Sequence, residues 1–386
     1  MNKIYLDNAA TTSLAPEVIE AMVDAMKSNY GNPSSTHSLG QEAKKAIEKV
    51  RLEAAGRLRV SPSEIVFTSC GTESNNMILK SCVHHLGVKR IITSPLEHKC
   101  VAESVLELKK LFGVEVVYLR PNENGDILLN DLEEALAKSD QLTLVSLMHA
   151  NNEIGNLLDL KKTAEICKKH QALFHSDTVQ TIGHLDLDFS EIGVDFASCS
   201  AHKFHGPKGS GFAFIRLSSG LKALISGGPQ EMSLRAGTEN VIGIIGLGKA
   251  LELSMDHLDI YQKHILEIKN YAITKLQTSI PGIKFNGKSA NPEESLYTVL
   301  SVLLPFKDAL IGSKLDELGI AISQGSACSS GAGKPSMVMM MVLDELDMEN
   351  GTPLRISFSH ETTKAEIDSL VEAVNKIRMA QQSITC

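Results

Sequence analysis

The sequence predicts an α/β protein, with a large, mostly parallel sheet covered by helices on both faces and a smaller α+β domain. Three observations lead there. Between about residues 60 and 220, short apolar runs alternate with amphipathic stretches. Buried strands separated by helices mark a parallel sheet with both faces covered. The chain has 386 residues, more than one ordinary core of ~100–200 residues, so two packed domains are expected. From about residue 250 the pattern changes character, with a long helical stretch leading into a second unit.

Taken in order, Ile65-Val66-Phe67-Thr68 reads as the first strand, with a helix from about Glu73. Arg90-Ile91-Ile92-Thr93 is the second, followed by a helix across Cys100 to Leu111. Strands then fall at Val114–Tyr118, Leu142–Ser146, Ala172–His175, Val194–Ala197 and Gly211–Ile215. In such sheets ligands bind beyond the carboxyl ends of the strands, and that is where the unusual polar residues lie. Ile242 to Leu276 has apolar positions three and four apart and reads as one helical connector. After it come a strand at Leu300–Leu304, a Gly/Ser-rich loop over 325–333, a strand at Leu354–Phe358 and a final helix from Lys364 to Gln381. The expected division is 15–255 for the large domain, with 1–14 and 256–386 forming the small one.

Composition excludes several classes. Apolar residues make up 43% and charged residues 22%, as in a soluble globular enzyme and not in a disordered or low-complexity chain. The net charge is −8 and the pI about 5.9. Such a chain has no overall field to hold nucleic acid by its phosphates, so no direct nucleic-acid partner is expected. No run approaches the ~18–20 apolar residues of a membrane span, and, with no apolar stretch behind Met1–Asp7, no signal peptide is expected. Seven scattered cysteines without a CxxC pair read as reduced thiols in the cytoplasm, most of them packing residues.

Three motifs carry chemistry. In Ser200-Ala201-His202-Lys203-Phe204-His205-Gly206, Lys203 follows a buried strand, hemmed by serine, histidine and glycine. Desolvation and neighbouring cations lower a lysine's pKa, so its free amine can attack an aldehyde. In isolation it would read as a solvated surface lysine. In Phe174-His175-Ser176-Asp177-Thr178-Val179-Gln180, Asp177 sits just past a strand, where a carboxylate is costly without a partner. A protonated pyridine nitrogen would serve, and lysine plus aspartate is the framework expected around pyridoxal phosphate. Alone, Asp177 reads equally well as a turn former. Thr68-Ser69-Cys70-Gly71-Thr72-Glu73 passes from strand to helix through small residues, and free amides at a helix start make a phosphate cradle.

These residues, with others in order along the chain, resemble the cysteine desulfurases of the NifS/IscS type, within the class-V aminotransferase group. The resemblance also includes Tyr5-Leu6-Asp7-Asn8-Ala9-Ala10-Thr11-Thr12, Gly31-Asn32-Pro33-Ser34-Ser35, Gly71-Thr72-Glu73-Ser74-Asn75-Asn76 and Glu97-His98-Lys99. It continues through Asn151-Asn152-Glu153-Ile154-Gly155, Arg235-Ala236-Gly237-Thr238-Glu239-Asn240 and Gly325-Ser326-Ala327-Cys328. It implies fold type I of the pyridoxal-phosphate transferases, with a large sheet of the seven-stranded type.

It also implies roles. Lys203 would bind the cofactor covalently and move protons, Asp177 would pair with the ring nitrogen, and His98 would stack on the ring. The alternative for His98 is a helix cap. Gln180 would bond the phenolic oxygen with Asn152 nearby, and Gly71, Thr72, Ser200 and His202 would hold the phosphate. Thr238 would reach the phosphate of a second subunit, implying a homodimer. Arg355 would clamp the substrate carboxylate, for which its planar fork is suited; the alternative is a structural salt bridge. Cys328, among small residues that cannot pack a core, would take sulfur from L-cysteine as a persulfide, leaving alanine, and pass it to an acceptor protein.

The expected acceptor is an iron–sulfur scaffold, with transfer-RNA thiolation second. Selenocysteine lyase and aminotransferase are the rival activities, and the thiol loop argues against the latter. Cys199, His202 and His205, like His98 and Cys100, raise zinc, but their spacing forms no four-ligand set and no metal is expected. Met337, Met339, Met340 and Met341 read as a core or interface helix. Departures from the family pattern are Pro229 where histidine is usual, Lys334, and the acidic run Asp344 to Glu349. That run reads as a solvated face or an acceptor-docking difference.

Overall fold

The computed structural model describes residues 3–324 and 336–385. The described chain opens with strand β1 (Ile4–Tyr5) and two helices that no strong sequence signal announced, α1 (Pro16–Ser28) and α2 (Ser38–Leu58). The large unit then alternates β2 (Ile65–Thr68), α3 (Gly71–His85), β3 (Arg90–Thr93), α4 (Lys99–Phe112) and β4 (Glu115–Tyr118). It continues with α5 (Leu129–Ala137), β5 (Thr143–Ser146), α6 (Leu160–Lys169), β6 (Leu173–Ser176), α7 (Phe189–Ile192), β7 (Phe196–Ser200) and β8 (Gly211–Ile215).

These strands form one seven-stranded sheet in the order β2-β8-β7-β6-β5-β3-β4. Only β8 runs against its neighbours: β2–β8 and β7–β8 pair antiparallel, and the other pairs are parallel. Burial explains the strand composition. Ile65–Thr68, Arg90–Thr93, Thr143–Ser146 and Phe196–Ser200 are buried along their whole lengths, as required of strands with helices on both faces. One face packs α1, α2, α5 and α6 through Ile47, Val50, Leu132, Ala164 and Phe174. The other packs α3 and α4 through Ile78, Cys82, Val101 and Val105.

Beyond the short α8 (Gln230–Ser233), the expected single connector is two helices, α9 (Val241–Asp256) and α10 (Leu258–Ser279). His257 leaves the helical conformation, with φ −108° and ψ 12°, and separates them. The apolar spacing continues through the break, so periodicity alone could not reveal it. The second sheet comprises β9 (Lys284–Phe285), β10 (Val299–Leu304) and, after α11 (Ile311–Glu317), β11 (Ile320–Ala321), α12 (Met337–Val342) and α13 (Glu345–Asn350), the strand β12 (Thr352–Ser357). It runs β12-β10-β9, all antiparallel. Helix α14 (Lys364–Thr385) packs beside α10, and the core there joins Leu6 and Ala9 to Ile265, Val302, Ile356 and Leu370. β1 pairs with β11, so the N-terminal segment belongs physically to this second core.

Among the methionines of α12, Met339 is buried, while Met337, Met340 and Met341 are exposed. The acidic run supplies a helix cap and an ion pair. Asp344 accepts from the Asp347 amide, and Asp347 meets Lys284 Nζ at 2.6 Å.

Pro229 precedes a turn in which Glu231, Met232 and Ser233 all have left-handed backbones, with φ of 48°, 57° and 66°. The turn is pinned by Glu231, whose buried carboxylate accepts from Arg51 NH1 and NH2, both at 2.8 Å, and from the Phe67 amide at 2.7 Å. Removing one partner of a buried ion pair is costly, and Arg51 would keep only the exposed Glu48, 3.2 Å from its Nε. A Glu231→Ala protein should therefore lose about 3–5 kcal/mol of unfolding free energy in urea titrations. An unchanged midpoint would show that Arg51 finds another partner.

Candidate active site

A cavity of about 310 Å³ opens where the carboxyl ends of the central parallel strands meet the second sheet. Each expected residue is brought there by the element that carries it. Gly71 and Thr72 start α3 straight after β2, His98 precedes α4, and Asn152 follows β5. Asp177 and Gln180 follow β6, Ser200 ends β7, and His202 and Lys203 lie in the 3-10 turn beyond it. Arg355 reaches in from β12. Thr238 is exposed and does not line the cavity. Cys328 lies outside the described residues, as do Lys334 and Cys386.

Lys203 Nζ donates to the carbonyls of Ala9 at 2.7 Å and Ala10 at 2.9 Å. The same N-terminal segment receives Gln180, whose Nε2 donates to Ala9 O at 3.1 Å. Asp177 is 4% exposed, and its carboxylate accepts from Asn75 Nδ2 at 2.8 Å, the Val179 amide at 3.0 Å and Ser198 Oγ at 3.3 Å. Three donors thus fix the position of this buried carboxylate.

His98 turns out to be a helix cap as well as a cavity residue. Its Nδ1 accepts from the Cys100 amide at 3.3 Å and lies 3.0 Å from Cys100 Sγ. An acceptor at Nδ1 leaves the proton of the neutral ring on Nε2. Burial holds the His98 pKa below its usual value, with the Lys203 and Lys99 charges adding to the effect and Asp177 opposing it. Burial likewise pushes His202 down to about 4, helped by Lys203 and Lys208.

Arg355 makes a structural salt bridge and also lines the cavity. NH2 donates to Asp7 Oδ1 at 2.7 Å and NH1 to the Asn152 carbonyl at 2.9 Å, while the buried Nε has no partner among the described residues. The salt bridge holds the guanidinium in place on the cavity wall.

Several neighbours were not singled out from sequence. Cys70 and Cys100 line the cavity, and burial pushes the Cys100 thiol up to about 12, so it is not a ready nucleophile. Glu97 is buried on the cavity wall. Its Oε1 accepts from the Met148 amide at 2.8 Å, and burial with the nearby Asp177 charge holds its pKa well above the carboxylate range. Glu153 accepts from Ser336 Oγ at 2.5 Å. Both glutamates sit beside recognised motif residues, and only folding shows that their side chains enter the site. His98, Cys100 and Asp177 bring three metal-type donors within 4.8 Å of one another. Nδ1 and Sγ are bonded to each other, however, and the carboxylate is taken by its three donors. Cys199 is a core residue, not a ligand.

The residues present fit pyridoxal phosphate. A Cβ on Gly71 would lie 2.4 Å from Val179 Cγ2, so only glycine leaves the first turn of α3 open there. Beside it, the buried Ser200 Oγ has no hydrogen-bond partner among the described residues, and a phosphate oxygen would supply one.

Comparison with known proteins agrees. The aminotransferase class-V family model matches residues 4–370, and the chain belongs to this family of pyridoxal-phosphate-dependent enzymes. Within it, the chain is 40% identical over 377 residues to a protein named cysteine desulfurase IscS from Dictyoglomus turgidum, covering 97% of this chain and 94% of the relative. A solved structure described as a NifS-like protein superposes with a TM-score of 0.88 at 36% identity, over 98% of this chain and 99% of that one. A second, described as SspA in complex with cysteine, gives 0.79 at 31% identity, over 93% and 100%.

The buried imidazoles make the fold sensitive to acid. Burial pushes His149 and His175 down to about 4. Below about pH 6.5 the unfolded chain protonates both, while the folded chain resists until about 4, so stability falls with pH across that window. Each such group contributes about 1.4 kcal/mol per pH unit. Urea midpoints should drop steadily from pH 6.5 to 4.5, and less steeply for His149→Gln. A flat profile would contradict the assignment.

Proposed function

We infer that this chain is a pyridoxal-phosphate-dependent cysteine desulfurase that removes sulfur from L-cysteine, releasing L-alanine and leaving a persulfide on Cys328. The observation that carries this is the convergence of Lys203, Asp177, His98 and Arg355 on one cavity, in a chain so similar to proteins named cysteine desulfurases.

Pyridoxal phosphate, when bound, supplies an electron sink that eases removal of the substrate's α-proton and release of its sulfur. Lys203 would be its covalent anchor and the base that moves the α-proton. Asp177 would hold the ring nitrogen, Gln180 and Asn152 the phenolic side, and Gly71, Thr72, Ser200 and His202 the phosphate. His98, neutral and with its proton on Nε2, would stack on the ring and assist proton transfer. Arg355, already oriented by Asp7 and the Asn152 carbonyl, receives the substrate carboxylate.

Cys328 attacks the substrate sulfur as a thiolate. The carbon–sulfur bond breaks, its electron pair stays on the β-carbon, and that carbon takes a proton. One cysteine and one enzyme thiol thus become one alanine and one persulfide, with no outside oxidant. Both described flanks of the cysteine loop support this role. Ser323 O accepts from the Arg355 amide at 2.9 Å, and Ser336 lines the cavity.

Thr238, exposed and away from this cavity, suits a contribution to a second subunit's phosphate, which supports a homodimer. The large domain, 15–255, holds the cofactor residues, while 1–14 and 256–386 carry Arg355 and the cysteine loop. A sulfur-acceptor protein, first an iron–sulfur scaffold and second a transfer-RNA thiolation factor, takes the persulfide. No described helix is long and apolar enough to cross a membrane. Cys70, Cys82, Cys100, Cys167 and Cys199 are free thiols, which supports the reducing cytoplasm as the setting.

A Cys328→Ser protein should keep its visible cofactor band but stop converting L-cysteine to alanine and sulfide. A normal rate in that variant would sink the assignment. Arg355→Lys should raise KM for cysteine about tenfold or more, because a lysine cannot reproduce the planar fork. An unchanged KM would leave Arg355 only its salt bridge.

A further inference from the structure

Beneath the Asp177 carboxylate runs a chain of buried polar groups that the proposed mechanism does not use. Ser146 on β5 and His175 on β6 are register partners, and Ser146 Oγ lies 2.9 Å from His175 Nδ1. His175 Nε2 lies 3.0 Å from Asn75 Oδ1 on α3, and Asn75 Nδ2 donates to Asp177 Oδ2 at 2.8 Å. Ser146, His175 and Asn75 are 0% exposed, so water cannot substitute for any partner.

The direction of every bond follows from the last one. An ionised carboxylate only accepts, so Asn75 must turn its NH₂ toward Asp177. Its carbonyl oxygen then faces His175, whose Nε2 must carry the proton. His175 Nδ1 is therefore bare and accepts from the Ser146 hydroxyl. Reversing the chain would set the Asn75 oxygen against an Asp177 oxygen, two acceptors at hydrogen-bond distance, which only a protonated Asp177 tolerates. A satisfied buried network of this kind selects one charge state and one geometry.

We propose that His175 is a positioning residue for the reaction: through Asn75 it holds an amide donor against Asp177 and so keeps that carboxylate aimed at the cofactor's ring nitrogen. This rests on the assignment of Asp177 as the partner of that nitrogen. His175 touches neither substrate nor cofactor. Its imidazole stays neutral because burial pushes it down to about 4, and the neutral ring can donate at one nitrogen while accepting at the other.

The test uses holoprotein loaded with pyridoxal phosphate labelled with ¹⁵N in the ring, whose chemical shift reports protonation of that nitrogen. His175→Leu should move the shift toward the neutral-pyridine value and weaken cofactor binding about tenfold, the scale on which outer-shell partners act. His175→Gln, whose amide can donate to Asn75 and accept from Ser146, should restore most of both. Wild-type shift and affinity in His175→Leu, with both altered in Asp177→Asn, would overturn the relay alone. No change in Asp177→Asn would overturn the role of Asp177 itself. A loss that His175→Gln shares in full would also overturn the relay. Should His175→Leu fail to fold, neutron diffraction from the unsubstituted holoprotein decides. A deuteron on His175 Nε2 supports the relay, and one on Nδ1 overturns it.

Discussion

The segment Asp7–Thr12 lies between the two cores and bonds to both, and the site has its shape because of it. On one side Asn8 Nδ2 donates to the Ser357 carbonyl, the Ala9 amide donates to Ser357 Oγ, and Asp7 grips Arg355. On the other, the Ala9 and Ala10 carbonyls accept from Lys203, Thr12 N donates to the His202 carbonyl, and the His205 amide donates to Thr12 Oγ1. The lysine turn and the arginine strand, some 150 residues apart in sequence, are thus held by one short stretch of backbone. Backbone carbonyls are obligatory acceptors, and here two of them hold the Lys203 amine in the cavity.

Around that stitch the cavity is an arrangement of buried groups that cannot all be charged. Asp177 accepts from three donors, Glu97 is pushed toward its neutral form, and His98 and His202 are held neutral by burial beside Lys203. In surroundings of low effective dielectric such differences are large. They set Asp177, two neutral imidazoles and the Arg355 guanidinium around one cavity.

Much of this was legible in the sequence. The strands were, because a sheet covered on both faces demands apolar runs such as Phe196–Ser200. Lys203 and Asp177 were, because each directly follows such a run, where a charge needs a reason. The break at His257 was not, because no glycine or proline marks it and the apolar spacing carries through. Helices α1 and α2 gave no strong signal. The double duty of His98 and Arg355 was hidden too: His98 is both a helix cap and a cavity residue, and Arg355 both a salt-bridge partner and part of the cavity wall. Asn75, Glu97 and Glu153 stand inside recognised motifs, but motif membership does not say which side chain enters a cavity. His175 looked like an ordinary strand residue because its partners, Ser146 and Asn75, are distant in sequence.

The central claim is that Lys203, held by the N-terminal stitch, anchors the cofactor. Borohydride reduction of the holoprotein, followed by digestion and mass spectrometry, tests it most directly. The account predicts a pyridoxyl group on Lys203. A label on another lysine, or none in protein that shows the cofactor band, would contradict it.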